Sequence, residues 1–198
     1  MSSEPGLPEG ATPLDPDESE GLIPGHVVTR AELNEAEEAN IARGFAWAVR
    51  AIRSRSVLSD EFAYELHRRM FDRVWEWAGT TRRTNKNIGI DKFMIRVAVR
   101  DLMEDAEVWN TQQVYPSDEI AVRLHHRLVA IHPFPNGNGR HSRLMADLFL
   151  LQAGIRPLPW GKGRGSLVST GELRSTYISA LQAADAGNIA PLLAFAHS

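Results

Sequence analysis

Several features that would point to common classes of protein are missing from this 198-residue sequence. It contains no cysteine, which excludes disulfides, thiol catalysis and cysteine-based zinc sites. The first twenty residues hold six acidic residues, four prolines and no lysine or arginine, unlike the basic start of a secretory leader. No segment approaches about eighteen uninterrupted apolar residues. We therefore expect a cytoplasmic protein without membrane association, led by a disordered acidic, proline-rich tail over residues 1–20.

The overall charge is also small. Lysine and arginine total 22 and aspartate and glutamate total 25, for a formal net charge of −3. That balance offers no global field for nucleic acid, so we expect no direct nucleic-acid binding. Because 43% of the residues are hydrophobic, the chain can bury one core. Residues 21–198 are predicted to form a single domain.

Hydrophobic periodicity predicts an all-α fold. Thr29 and Glu32 have the spacing of a capping box, and Ser169 and Glu172 repeat it. Pro191 suits the first turn of a short final helix. The other helices are predicted over residues 30–52, 60–78, 97–113, 117–131 and 138–153, and from about residue 170 to near Gly187.

The helical pattern breaks between residues 80 and 96. A threonine-rich stretch leads into residues 85–95, which predict a short β-hairpin with a polar turn near Gly89 or Asp91. An irregular loop is the alternative.

The most informative stretch is HPFPNGNGRHSR, residues 132–143, between two predicted helices. Pro133 ends the upstream helix. The glycine-bearing loop leads into the next helix, whose first amides and dipole attract an anion. Arg140 and Arg143 oppose that dipole unless an anion lies between them and the amides, and a guanidinium group matches phosphate oxygens.

His132 lies at the other end of this loop. With an ordinary pKa of about 6.5, a histidine can take a proton from a hydroxyl at neutral pH. A base beside a phosphate site suits the transfer of part of a nucleotide to a hydroxyl. A helix-end histidine bonded to a carbonyl is the structural alternative, whereas Phe134 is expected to anchor the loop in the core.

HPFPNGNGRHSR resembles the signature loop of the Fic domain, His-Pro-Phe-x-Asp/Glu-Gly-Asn-Gly-Arg with a second arginine three residues on. The wider sequence is similar to the Fic subfamily called mobile mystery protein B, from about residue 18 to the end. The stretches that carry this similarity are EGLIPGHVVTRAELNEAEEANI, WEWAGTTRRTNKNIGID and YISALQAADAGNIAPLLAFA.

The resemblance implies a Fic-fold helical bundle with one small β-hairpin, the flap, that moves AMP from ATP to a hydroxyl of a target protein. His132 would be the base. Gly137, Asn138 and Gly139 would form the phosphate cradle, and Arg140 and Arg143 the charge clamp. The resemblance places the target-docking flap at Asn87, Ile88, Gly89 and Ile90. A bacterial origin, a homodimer and a small regulatory or DNA-binding partner are further expectations.

Asn136 departs from the family pattern, in which an acidic residue ligates Mg²⁺ on the nucleotide. A neutral amide oxygen brings no charge, so Mg²⁺ is expected to bind weakly. Two alternatives stay open: a nucleotide-binding regulatory module, of the toxin–antitoxin kind, with little transferase activity, and transfer of another phosphate-bearing group.

Two further interpretations concern regulation and metals. Many Fic proteins carry an inhibitory glutamate that pairs with the second arginine of the loop; here Glu35 or Glu38 could take that role, with a solvated acidic helix face as the alternative. A metal site made of His125, His126, His132 and His141 is disfavoured, because adjacent residues of a helix point about 100° apart.

Overall fold

The computed structural model describes residues 19–27, 29–161, 167 and 171–198. Within this part of the chain the protein has seven α-helices and no β-strand, as the all-α prediction requires. The helices are α1 Arg30–Ala51, α2 Asp60–Phe71, α3 Ile95–Thr111, α4 Ser117–Ile131, α5 Asn138–Gln152, α6 Glu172–Asp185 and α7 Ala190–Ala196.

Helices α1 and α2 pack closely against each other. A capping box fixes the start of α1, and Gly44 lies where the two helices meet. The Thr29 hydroxyl accepts a hydrogen bond from the Glu32 amide at 3.2 Å, and the Glu32 carboxylate accepts one from the Thr29 amide at 2.8 Å, which confirms the predicted capping box. A β-carbon at Gly44 would lie 2.9 Å from the backbone nitrogen of Met70. The two backbones therefore approach more closely than a larger residue would allow.

Helices α4 and α5 form the centre of the molecule, and their connection is the loop singled out by the sequence. The predicted bounds of α4, residues 117–131, are those observed. Both helices bury an apolar face, which includes Leu124, Leu128, Met145 and Leu148. The loop between them, residues 132–137, is therefore fixed at both ends by core packing.

Helix α2 is shorter than predicted, because residues 21–23 pair with the chain that follows it. The Ile23 amide donates to the Val74 carbonyl at 2.9 Å, and the Glu76 amide donates to the Gly21 carbonyl at 2.9 Å. A bridge between Leu22 and Trp75 lies between these bonds. Helical geometry cannot continue through residues whose backbone groups bond to another segment.

The predicted β-hairpin over residues 85–95 is wrong. Those residues form an irregular loop, a 3₁₀ turn over Lys92–Met94 and the first residue of α3. The Asn85 side chain accepts a hydrogen bond from the Lys92 amide at 2.9 Å, and the Asp91 carboxylate accepts one from the Phe93 amide at 2.9 Å. Side chains thus take the donors that a hairpin ladder would use.

Two predictions fall outside the described residues. They are the disordered tail, apart from residues 19 and 20, and the capping role of Ser169 ahead of α6. No helix in the described ranges is long and apolar enough to cross a membrane.

Candidate active site

The loop from His132 to Asn138 has a closed shape held by its own last residue. The Asn138 side chain accepts a hydrogen bond from the Phe134 amide at 2.9 Å and donates one to the Phe134 carbonyl at 2.8 Å. Gly137 has a φ of 78°, and a β-carbon there would lie 2.5 Å from the Phe71 ring. Both the backbone conformation and the space therefore require glycine.

Phe134 anchors this loop in the core, as its apolar character suggested. It is 1% exposed and stacks on the imidazole of His67 with ring centroids 3.6 Å apart and an interplanar angle of 15°. The rings of Tyr64 and His141 meet it edge-on at 5.8 and 5.0 Å. Such aromatic contacts fix the loop in one position relative to α2.

His67 also holds the loop through its two ring nitrogens. The Gly79 amide donates to Nδ1 at 3.0 Å, so the proton of the neutral ring lies on Nε2, which is 3.1 Å from the Asn136 carbonyl oxygen and donates to it. Complete burial holds the pKa of His67 well below its usual value, and the nearby His141 adds to the effect. The neutral tautomer is therefore the form that supports the loop.

Arg82 is the main support that the sequence did not reveal. It is 2% exposed, and its Nε donates to the His132 carbonyl at 2.7 Å while its backbone amide donates to the Pro133 carbonyl at 2.9 Å. The rest of the guanidinium donates to the carbonyls of Thr84 and Ile90. One buried side chain thus joins the loop at residues 84–90 to the residue expected to act as base.

His132 ends α4 in the left-handed region, with φ 53° and ψ 60°, a conformation that few non-glycine residues adopt. It is 8% exposed. Burial lowers its pKa to about 4, with Arg82 and Lys86 acting in the same direction. The imidazole is therefore neutral at physiological pH and available as a proton acceptor.

The start of α5 offers unpaired amides to an anion. The first intrahelical bond runs from the His141 amide to the Gly137 carbonyl at 2.9 Å, so the amides of Asn138, Gly139 and Arg140 precede the helical ladder. Gly137, the N-cap, has no side chain that could accept from them. Gly139 leaves room on the helix surface, because its β-carbon would meet Arg143 only at 3.6 Å.

Arg140, the first arginine of the motif, is already paired with a buried glutamate of α1. Its Nη1 lies 2.7 Å from the Glu37 carboxylate, and its guanidinium lies 5.0 Å from the centroid of the Phe71 ring. Glu37 is 6% exposed and accepts a second hydrogen bond, at 2.8 Å, from the indole of Trp75. Glu35 and Glu38, the glutamates expected to pair with Arg143, are both exposed on α1, and the buried Glu37 between them pairs with Arg140 instead.

Arg143 lies on the next turn of α5, over the ring of Tyr177 at 5.5 Å. The Tyr177 hydroxyl and His125 Nε2 lie 3.0 Å apart. Burial raises the pKa of Tyr177, whereas burial and Arg143 both lower that of His125. The second arginine of the motif is therefore held by a buried aromatic pair.

Asn136 is a poor ligand for Mg²⁺ at this site. Its side-chain oxygen already accepts a hydrogen bond from the Gly137 amide at 2.6 Å, and it contributes no charge, whereas Mg²⁺ is bound through carboxylates and phosphate oxygens. A single neutral oxygen does not make a magnesium site by itself. Any Mg²⁺ here would depend on the phosphates of a bound nucleotide.

The histidines proposed for a rival metal site have separate roles. His126 contacts Asp185 at 2.8 Å, and His141 contacts the Ala63 carbonyl at 2.9 Å. Across the described ranges there is no group of three histidine, aspartate or glutamate side chains placed to share a metal ion.

The expected docking residues 87–90 belong to the irregular loop, and Gly89 and Ile90 lie against the end of α4 at His132. A β-carbon at Gly89 would be 2.8 Å from the His132 β-carbon. The Ile90 amide donates to the Ile131 carbonyl at 3.4 Å. Asn87 and Gly89 are exposed, and Ile88 and Ile90 are half-buried.

Sequence comparisons show which known proteins this chain is similar to. The Fic/DOC family matches residues 57–150. The chain is 25% identical to the protein adenylyltransferase fic-1 of Caenorhabditis elegans over 90% of this chain and 34% of that protein. It is 31% identical to the protein adenylyltransferase Fic of Culex quinquefasciatus over 80% of this chain and 32% of that protein. The chain thus spans about a third of the length of these relatives.

Solved structures share the fold. A fragment of C. elegans Fic-1 superposes with a TM-score of 0.59 at 25% identity, covering 91% of this chain and 51% of that chain. The BepC effector of Bartonella tribocorum, solved with bound AMPPNP, superposes with a TM-score of 0.63 at 18% identity, covering 91% and 95%.

Proposed function

We propose that the chain, whose residues 57–150 match the Fic/DOC family, is a protein adenylyltransferase that moves AMP from ATP to a serine, threonine or tyrosine hydroxyl of a target protein. The observation that carries the proposal is the closed loop with a buried neutral histidine at one end and uncapped helix amides with an arginine at the other. These are the two requirements of nucleotidyl transfer, a base for the hydroxyl and a site for the phosphates.

The chemistry follows from these positions. His132 accepts the proton of the target hydroxyl while the hydroxyl oxygen attacks the α-phosphorus of ATP. The bond between the α-phosphorus and the bridging oxygen breaks, and pyrophosphate leaves with its electrons. The amides of Asn138, Gly139 and Arg140 and the guanidinium of Arg140 hold the phosphates, and Arg143 supports the same anion. A negative charge stabilises a nearby imidazolium, so nucleotide binding raises the pKa of His132 and makes it a stronger base.

Labelled ATP tests this proposal directly. The purified protein is incubated with ATP labelled on the adenine or the α-phosphate, with Mg²⁺ or Mn²⁺ and a bacterial lysate. Label on protein bands supports AMP transfer, and mass spectrometry of the acceptor identifies the added group. Transfer of another phosphate-bearing group would appear as a different added mass, and a silent protein would contradict the transferase proposal for the substrates tested.

A regulatory nucleotide-binding module is the second candidate, and the contact between Glu37 and Arg140 favours it. The Glu37 carboxylate holds the Arg140 guanidinium that a phosphate would need, so nucleotide binding is restrained in this structure. We also propose that the protein is bacterial and cytoplasmic and is of the mobile mystery protein B type. Its binding partner would be a small regulatory or DNA-binding protein or a second copy of the chain.

The first prediction tests this restraint at Glu37. Replacing Glu37 by glutamine should tighten ATP binding about tenfold, or about 1.4 kcal/mol, because the phosphate no longer competes with a carboxylate for Arg140. The glutamine oxygen can still accept the hydrogen bond from Trp75. Calorimetric titration with ATP measures the change, and Glu38→Gln on the exposed face of α1 is the matched control. Unchanged or weaker binding would show that Glu37 only orients Arg140.

The second prediction concerns Asn136. Asn136→Asp should lower the Mg²⁺ concentration needed for half-maximal ATP binding, because a hard cation gains more from a charged oxygen. Aspartate also keeps the acceptor that bonds the Gly137 amide. The measurement is ATP binding and AMP transfer over a Mg²⁺ titration, with folding checked by circular dichroism. The same Mg²⁺ dependence in both proteins would remove Asn136 from metal binding.

A further inference from the structure

An apolar patch lies on the surface just beyond the loop that contacts His132. Phe93 is 81% exposed, Met94 is 53% exposed and Val97 is 40% exposed. Phe93 and Met94 lie in the 3₁₀ turn that leads directly into α3, and Val97 lies in the first turn of that helix. Single exposed apolar residues are common, but a cluster rimmed by charge marks an interaction surface. We call these three residues the Phe93 patch.

The three patch residues are not needed to pack α3 into the core. The opposite face of α3 is buried through Ile95 and Val99, at 0% and 1% exposure. The backbone below the patch is held firmly, because the Asp91 carboxylate accepts hydrogen bonds from the Phe93 amide at 2.9 Å and the Asn85 side chain at 3.2 Å. The 3₁₀ turn therefore presents the Phe93 ring to solvent from a rigid base.

The surroundings of the patch are basic, against the overall charge of the chain. Lys86, Lys92 and Arg96 lie within seven residues of Phe93, where Asp91 is the only acidic residue, within a chain of net charge −3. The Lys92 ammonium lies 5.0 Å from the centroid of the Phe93 ring, and Arg96 is exposed one turn away. Such a surface is complementary to a partner that is apolar and acidic.

The patch is also within reach of the proposed base. Gly89 lies against His132, and Phe93 follows four residues later, a distance of at most about 14 Å along the chain. An extended peptide covers that distance with about four residues at roughly 3.3 Å each. A peptide whose hydroxyl is at His132 can thus place another side chain on Phe93.

We propose that the Phe93 patch, with Lys92 and Arg96, docks the target protein. The bound segment is extended and acidic and carries a large apolar side chain about four residues from the acceptor hydroxyl. This inference rests on the proposed function and specifies its substrate class.

Synthetic acceptor peptides test the inference. The reference peptide carries one threonine, a leucine four residues away and glutamates between them; one variant replaces leucine by serine and another replaces the glutamates by lysines. We expect the reference peptide to be labelled at least tenfold faster than either variant. Phe93→Ser and Val97→Ser should abolish this preference. Phe45→Ser on α1 and Val108→Ser on α3, exposed by 41% and 46% in the wild type, are the matched controls and should keep it.

The outcomes separate this inference from the proposed function. Peptide binding is also measured without transfer, by fluorescence anisotropy, and should weaken about tenfold in Phe93→Ser. Equal binding and labelling of all three peptides, while the enzyme labels itself with AMP, would overturn the docking surface alone. Absence of AMP on protein and peptide alike would overturn the proposed function. Sedimentation showing a dimer that Phe93→Ser converts to monomers would assign the patch to self-association and overturn target docking.

Discussion

Replacing His132 by alanine is expected to lower AMP transfer by about 10² to 10⁴-fold, the usual contribution of a general base. ATP binding should survive, because the proposed mechanism assigns the phosphates to the α5 amides and Arg140 and the base to the target hydroxyl. The measurement combines single-turnover transfer with calorimetric titration of ATP. His126→Ala is the control on the same helix, where the native ring contacts Asp185 at 2.8 Å.

The pH profile adds a second check on His132. Its pKa in the free protein is about 4, and protonation below that value removes the base. The kcat/KM of the wild type, which reports groups of the free enzyme, should therefore show no loss from His132 until the pH falls below about 5. Transfer by His132→Ala at the wild-type rate would remove the histidine from the mechanism.

Replacing Arg82 by alanine is expected to lower the free energy of unfolding by about 3 kcal/mol or more. Each buried carbonyl that loses its donor costs roughly 1–3 kcal/mol, and the Arg82 side chain donates to those of His132, Thr84 and Ile90. Transfer should fall as well, since the base and the loop beside it lose their common support. Urea unfolding followed by circular dichroism measures the loss.

Arg83 is the matched control for this prediction, because it follows Arg82 directly and is exposed. Arg83→Ala should change stability by less than about 0.5 kcal/mol. Arg82→Lys keeps the charge but cannot reproduce the divergent donors of a guanidinium, so it should fold with an intermediate stability. Equal stabilities for Arg82→Ala and Arg83→Ala would contradict the structural role assigned to Arg82.

The helical architecture could be predicted because its causes are local. Apolar spacing, capping residues and proline predicted the bounds of α4 to the residue, and the capping box at Thr29 is formed. The loop residues His132 to Arg143 were recognisable for the same reason: they are contiguous in the sequence. The end of α2 was misjudged because its cause, pairing with residues 21–23, lies some fifty residues earlier.

The contacts that support the site were not predictable in this way, because each support comes from a distant element. Glu37 did carry a signal, since Leu33, Glu37, Asn40, Gly44 and Ala48 follow helical spacing along the inward face of α1. A glutamate and an asparagine within such a stripe indicate buried polar contacts. Arg82 gave no such signal, because it lies in a loop without periodicity, next to another arginine.

The supports of the loop have a consequence for how the protein folds. Arg82 and His67 contact it from 50 and 69 residues away along the chain, and Glu37 contacts Arg140 in the first turn of α5 from 103 residues away. Contacts between distant residues form only after the entropy of closing the intervening chain has been overcome. A folding intermediate in which only the α4–α5 hairpin is assembled would therefore hold the signature sequence without its working shape. The loop is therefore expected to take its final shape only after α1 and α2 have docked.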